Sequence, residues 1–246
     1  EMQNVLADVL PEDLKLRGHP TLEKRELQET WLYATDALLP AFRRTAEDAT
    51  DKLAETLVDQ IRELIVLHGT ETEDPRFIDK SQSYTVKASF LASLLNSRDP
   101  RFLLVLRNPY AVCYRAVESV LTGLGLSRSE RIKLAVEHWD NSIRHALIDG
   151  QEMDGFGTVR FEDFLAAPEE TLQKIDEVVG MSLHHQLLPS ASDQMPLGTP
   201  PDRKWYPLRP DVNQSYLDKL PVEVIDAVEQ RCADLAEKFG YTPEGP

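Results

Sequence analysis

The sequence predicts an α/β fold: a parallel sheet flanked by helices, richer in helix than in strand. Three observations carry this. First, Phe102–Leu106 is a short, continuous apolar run. Such a run suits a strand buried on both faces of a parallel sheet, or a piece of buried helix. Its shortness favours the strand, as do Asp99-Pro100 before it and Asn108-Pro109 after it. Second, the stretches beginning near Thr50, Ser127 and Val222 place apolar residues at helical spacing. Third, Phe77–Lys80 reads as a strand, Tyr84–Leu95 as an amphipathic helix, and Phe102–Leu106 follows as a strand. Strand, helix, strand is the βαβ unit, closed by a right-handed crossover.

Each element has a local reason. Asn4–Leu10 reads as the tail of a helix that Pro11 stops. Residues 22–33 are rich in charge and end in Trp31-Leu32-Tyr33. Thr50 or Asp51 caps a long helix with Leu53, Leu57, Ile61, Leu64 and Ile65 on one stripe, ended by His68-Gly69. Ala111–Leu121 is helical, and Ser127 or Ser129 caps a helix through about Ile148 with Ile132, Val136, Trp139 and Ile143 inward. Glycines announce a third strand over Gly155–Phe161. Pro168 opens the next helix, with Leu172, Ile175 and Val179 inward. Residues 189–201 carry Pro189, Pro196, Pro200 and Pro201 and read as a long loop, longer than a plain connection needs. Val222–Phe239 is a final amphipathic helix with Gly240 at its cap. No repeat and no linker interrupts the chain, so 1–246 reads as a single domain.

Composition narrows the function classes. With 246 residues, 41% of them hydrophobic, the chain can bury a sizeable core. Its net charge of -15 argues against non-specific binding to nucleic acid or to anionic membranes, which needs a basic face. A local basic pocket inside an acidic shell remains compatible with that charge. Cys113 and Cys232 are the only cysteines, which gives neither a disulfide framework nor zinc spacing. A reducing compartment, the cytoplasm, is therefore expected. No apolar run approaches membrane-spanning length, and no secretory leader is visible.

The chemistry begins where Phe102–Leu106 ends. Open α/β sheets bind ligands at the carboxyl ends of their strands. Arg107 stands at that edge. A guanidinium fork there suits a phosphate or sulfate, whose oxygens it meets two at a time. The alternative is an arginine paired with a neighbouring carboxylate.

A wider set of segments adds to this. They are Phe77-Ile-Asp-Lys80, Phe102-Leu-Leu-Val-Leu-Arg-Asn-Pro-Tyr-Ala-Val112, Trp139, Val159-Arg-Phe-Glu-Asp-Phe-Leu-Ala-Ala-Pro-Glu-Glu-Thr-Leu172, Arg203-Lys-Trp205 and Phe239-Gly-Tyr241. In this order they resemble the sulfotransferase family, whose members have a P-loop-type α/β fold. The resemblance implies a donor, 3′-phosphoadenosine-5′-phosphosulfate, and a hydroxyl or amine acceptor on a small molecule or carbohydrate. No metal is expected. Sulfuryl transfer is kin to phosphoryl transfer, so positioning and cationic stabilisation do most of the work, with a base for the acceptor proton.

The resemblance also implies roles. Arg107 takes the place of the arginine that grips the donor's 3′-phosphate. Arg115 stands where the family often has a serine sharing that phosphate. Arg203 and Lys204 match a loop that closes over the nucleotide, although Trp205 replaces the usual glycine. Lys80 is the cation expected at the transferring sulfuryl oxygens. Where some members have a histidine base, this chain has Gln82, an amide that does not titrate. Glu26, in Lys24-Arg25-Glu26, is the candidate base, and His68 is a second one that also suits a helix C-terminus. Glu162 and Asp163 read as structural strand-end carboxylates, and Trp139 as core.

One departure is large. Neither a Gly-x-x-x-x-Gly-Lys loop nor the family's Arg-Ser-Gly-Thr version occurs in the chain. That loop supplies backbone donors to the donor's 5′-phosphate. We expect it, with the first strand, to lie upstream of Glu1. Two rival readings follow. One is a binding or scaffold module on a degenerate form of this fold. The other is a P-loop small-molecule kinase with Asp79 as its acidic strand end.

Overall fold

The structure, a computed structural model, describes residues 32–68, 76–182, 188, 195–197, 204–206 and 210–246. Its centre is a pair of parallel strands, β1 (Phe102–Leu106) and β2 (Phe156–Arg160). Phe102 stands opposite Phe156, and Leu106 opposite Arg160. The apolar run is thus a parallel strand, but its partner is not the expected one. Phe77–Lys80 forms no strand among the described residues, and Ile78 is exposed. No ladder reaches its backbone there, and a strand exists only with one. The observed crossover unit joins β1 to β2 instead, through the helices between them.

Gly157 explains how closely the next layer approaches β2. A Cβ there would lie 2.3 Å from Val178, in the helix over Pro168–Val179. Only a residue without a side chain lets that helix sit down on the strand.

Several helices start as their caps predict. We number them α1 (Leu39–Phe42), α2 (Asp51–His68), α3 (Ala88–Leu94), α4 (Pro109–Arg115), α5 (Arg128–Gly150), α6 (Phe161–Ala166), α7 (Pro168–Val179), α8 (Gln214–Leu217) and α9 (Val222–Lys238). The Thr50 hydroxyl accepts from Leu53 N at 3.3 Å at the start of α2. Ser127 and Glu130 form a reciprocal capping box on α5. Gly240, at φ 69°, ends α9 in the left-handed region.

The expected helix over Tyr84–Leu95 is divided. A 3₁₀ segment, Gln82–Val86, precedes α3, and Lys87 at φ -142° separates them. The Gln82 carbonyl accepts from the Tyr33 and Thr85 hydroxyls, so side chains compete for a helical acceptor. Within the stretch expected as a Pro-rich loop, 189–201, residues 195–197 form a strand. This strand, β3 (Met195–Leu197), pairs antiparallel with β4 (Lys204–Tyr206), Pro196 opposite Trp205. A two-stranded ribbon is all edge, so proline is tolerated in it.

The main core joins β1 (Leu104, Leu106) to the inner faces of α4, α5 and α9, with Trp139, Val136, Val224, Val228 and Cys232 all buried. A second cluster packs Leu57 of α2 on Phe90, Leu91 and Leu94 of α3. Together these hold the carboxyl end of the sheet in place.

Candidate active site

At the exit of β1 the sequence Arg-Asn-Pro divides its labour. Asn108 is the N-cap of α4, its carboxamide oxygen accepting from Tyr110 N at 2.9 Å and Ala111 N at 3.3 Å. Pro109 opens the helix, where its missing N–H costs nothing. The turn so fixed leaves Arg107 at the edge of the sheet. Trp139 is core, as expected, and its indole N–H donates to the Arg107 carbonyl at 3.2 Å.

The Arg107 side chain is half-buried and held on three sides. Its Nε donates to Asn213 Oδ1 at 2.8 Å. Its guanidinium lies 5.0 Å from the Phe161 ring centroid and 5.9 Å from that of Tyr216. Asn213 in turn donates to Glu162 Oε1 at 2.5 Å. Glu162 is 8% exposed, and it also accepts from Asn108 N at 2.9 Å and the Tyr241 hydroxyl at 3.2 Å. One buried carboxylate therefore ties the β1 exit, α6, the segment before α8 and the C-terminal turn together. It accepts three hydrogen bonds, two on Oε1 and one on Oε2, and Asn213 stands between it and Arg107.

No carboxylate among the described residues forms an ion pair with Arg107. Burial pulls its pKa below the usual arginine value, and the positive charge of Arg115 adds to that, while Glu162 and Tyr216 oppose it. Arg115, in the last turn of α4, is exposed. A half-buried cation with a second cation nearby and no carboxylate of its own is arranged to receive an anion.

Of the other predicted site residues, Lys80 is exposed, in the irregular segment before the 3₁₀ turn. Neighbouring Asp79 accepts from the Ser81 hydroxyl at 3.0 Å. His68 is the last residue of α2, the helix end expected of it, and Lys204 opens β4; their side chains lie outside the described residues. Glu26 and Arg203 lie outside the described residues altogether. The structure thus brings Arg107 and Arg115 to one end of the sheet. Sequence reasoning missed Asn213, Tyr216 and Phe161. Only Phe161 carried a signal, as part of the Arg-Phe-Glu-Asp strand exit.

A model described as "Sulfotransferase family" matches residues 2–185. The chain belongs to the sulfotransferase family. Among solved structures it is similar to the "Sulfotransferase Domain from the Curacin Biosynthetic Pathway", at 16% identity and a TM-score of 0.48, over 80% of this chain and 76% of that one. No curated protein matches it. Family membership makes sulfuryl transfer the general reaction class and the chain a transferase. Among the described residues no helix is long and apolar enough to cross a membrane.

Proposed function

We propose that this sulfotransferase takes 3′-phosphoadenosine-5′-phosphosulfate as its donor and passes the sulfuryl group to a hydroxyl or amine. The observation that carries the reading is the setting of Arg107. Its Nε is anchored through Asn213 to a buried carboxylate, and among the described residues no carboxylate pairs with its charge. That arrangement suits the donor's 3′-phosphate, with Arg115 adding longer-range attraction.

The reaction asks for little covalent work from the protein. The S–O bond to the donor phosphate breaks as the acceptor oxygen or nitrogen closes on sulfur. Charge collects on the departing phosphate oxygen and spreads over the sulfuryl oxygens, so fixed cations lower the barrier. We assign Lys80 to the sulfuryl oxygens. Glu26 or His68 would accept the acceptor's proton. Arg203 and Lys204 would close on the nucleotide. The reading is tested by transfer of radiolabelled sulfuryl from this donor to a panel of phenol, sugar and amine acceptors. Turnover that Arg107→Ala reduces about 100-fold or more, at an unchanged melting temperature, supports it. Turnover indifferent to that change would contradict the assignment of Arg107.

A further inference from the structure

The carboxyl end of β2 opens on a cleft of about 270 Å³, bounded by α7 and by the end of α9. Among the described residues its walls include Thr158 and Arg160 of β2, Asp163 of α6, Lys174 of α7, Lys238 at the end of α9, and Phe239. Strand ends of this kind are where open α/β sheets place their ligands. In a chain of net charge -15, these walls set three cations against one carboxylate.

The carboxylate is already taken. Arg160 bonds Asp163 through Nε at 3.0 Å and through Nη2, and its Nη1 donates to the Phe239 carbonyl at 2.8 Å. This pair is neutral and fixed in place, so the cleft keeps a surplus of two positive charges, Lys174 and Lys238. Both are exposed, and neither side chain forms a hydrogen bond or ion pair among the described residues. Each charge is held near the cleft. Lys238 Nζ lies 5.6 Å from the centroid of the Phe239 ring. The charge of Lys174 reaches Asp163, where it adds to the larger effect of Arg160 in holding that carboxyl below its usual pKa. Thr158 shares a face of β2 with Arg160 by the two-residue period of a strand, and its hydroxyl has no partner among the described residues.

We propose that this cleft is a second anion site, holding the phosphate group of a small phosphate monoester between Lys174 and Lys238. At neutral pH such a group carries close to two negative charges, which matches the surplus. The Thr158 hydroxyl supplies a neutral donor, and the Phe239 ring an apolar wall for the ester's organic part. A sulfate monoester, with one charge, answers only half of the surplus. None of the cleft's residues bonds to Arg107, so the site stands apart from the identity of the donor.

The test is titration of the chain with phenyl phosphate at constant ionic strength, followed by NMR of lysine Cε signals in selectively labelled protein. The two signals are identified by their loss in Lys174→Met and in Lys238→Met, and both lysines are exposed, so either substitution leaves the fold intact. The expected result is saturable shifts of both signals with one dissociation constant. In Lys174→Met the Lys238 signal should report binding about tenfold weaker, and the reverse in Lys238→Met, as one charged contact is lost. Phenyl sulfate and inorganic phosphate should each bind about threefold weaker or less well still, the first for want of a charge and the second for want of a ring. Binding should persist in Arg107→Ala. Shifts that do not saturate, or that one lysine shows without the other, would overturn the proposal. So would equal binding of phenyl sulfate or of inorganic phosphate, or loss of binding in Arg107→Ala, which would assign the anion to the Arg107 pocket.

Discussion

Two arginines leave the parallel sheet from neighbouring strands and meet opposite fates. Arg160, the last residue of β2, grips Asp163 through Nε at 3.0 Å and through Nη2. Its Nη1 donates to the Phe239 carbonyl at 2.8 Å, and its guanidinium lies 5.7 Å from the Tyr241 ring centroid. Asp163 holds the Arg160 pKa above its usual value, and Arg160 holds the Asp163 carboxyl below its own. Arg107, one residue past β1, has an amide where Arg160 has a carboxylate. The same side chain at the same end of one sheet is a tie in one strand and, on the proposed function, a receptor in the other. The difference is a single intervening group, Asn213, which orients Arg107 without neutralising it.

The comparison can be broken from either side. Arg107→Ala should weaken binding of adenosine 3′,5′-bisphosphate by about 100-fold, the loss of charged hydrogen bonds totalling about 3 kcal/mol, and leave thermal stability nearly unchanged. Calorimetric titration and a melting curve on one sample check both halves. Glu162→Gln acts between the two roles. An amide cannot accept from Asn108, Asn213 and Tyr241 together, so stability should fall by about 2 kcal/mol in urea unfolding. Nucleotide affinity should fall about two- to threefold, because Asn213 can keep its bond to the amide oxygen but on an uncharged acceptor. Arg160→Ala is the mirror of Arg107→Ala. It should lower stability by about 1 kcal/mol, since the ion pair is partly solvated, and leave nucleotide affinity within about twofold. Arg115→Ala should have the smallest effect, about threefold on affinity and fading with added salt, because that side chain is exposed.

Lys87, 8% exposed, extends the contrast to a third cation, one with neither carboxylate nor amide bonded to its side chain among the described residues. With its pKa near 8 in the folded chain against 10.5 when unfolded, its burial costs about 3 kcal/mol wherever both states are protonated, below pH 8. The penalty disappears as pH rises through 8 toward 10.5. Lys87→Met should therefore be the more stable protein near neutrality, with its advantage narrowing over that window. The difference between variant and wild type is the quantity to follow. The buried thiols Cys113 and Cys232, both pushed up by burial, destabilise each protein alike as the unfolded thiols ionise.

The sequence was most readable where its signals are local. The β1 run, the Ser127 cap and the Gly240 stop depend on neighbours within a few residues, and each falls where its chemistry directs. The strand expected at Phe77–Lys80 failed because a strand is made by its partner, and the partner cannot be read from four residues. Ahead of the helix break at Lys87, the Gln82 carbonyl accepts from the Tyr33 hydroxyl, 49 positions away, a contact no local pattern announces. The site divides in the same way. Arg107 was legible from the punctuation around it. Asn213, 106 positions away, was not, because nothing in its own neighbourhood marks it. Glu162 and Asp163 were both read as structural strand-end carboxylates. Contacts show that reading to be right for each, though only Glu162 works by joining four segments.

The most direct test is calorimetric titration of adenosine 3′,5′-bisphosphate into the chain with its full natural N-terminus, beside AMP, with Arg107→Ala as the control. The account predicts micromolar binding that requires the 3′-phosphate and is lost with Arg107. Equal binding of both nucleotides, or no binding by a folded sample, would contradict it and move the reading toward a scaffold module on this fold.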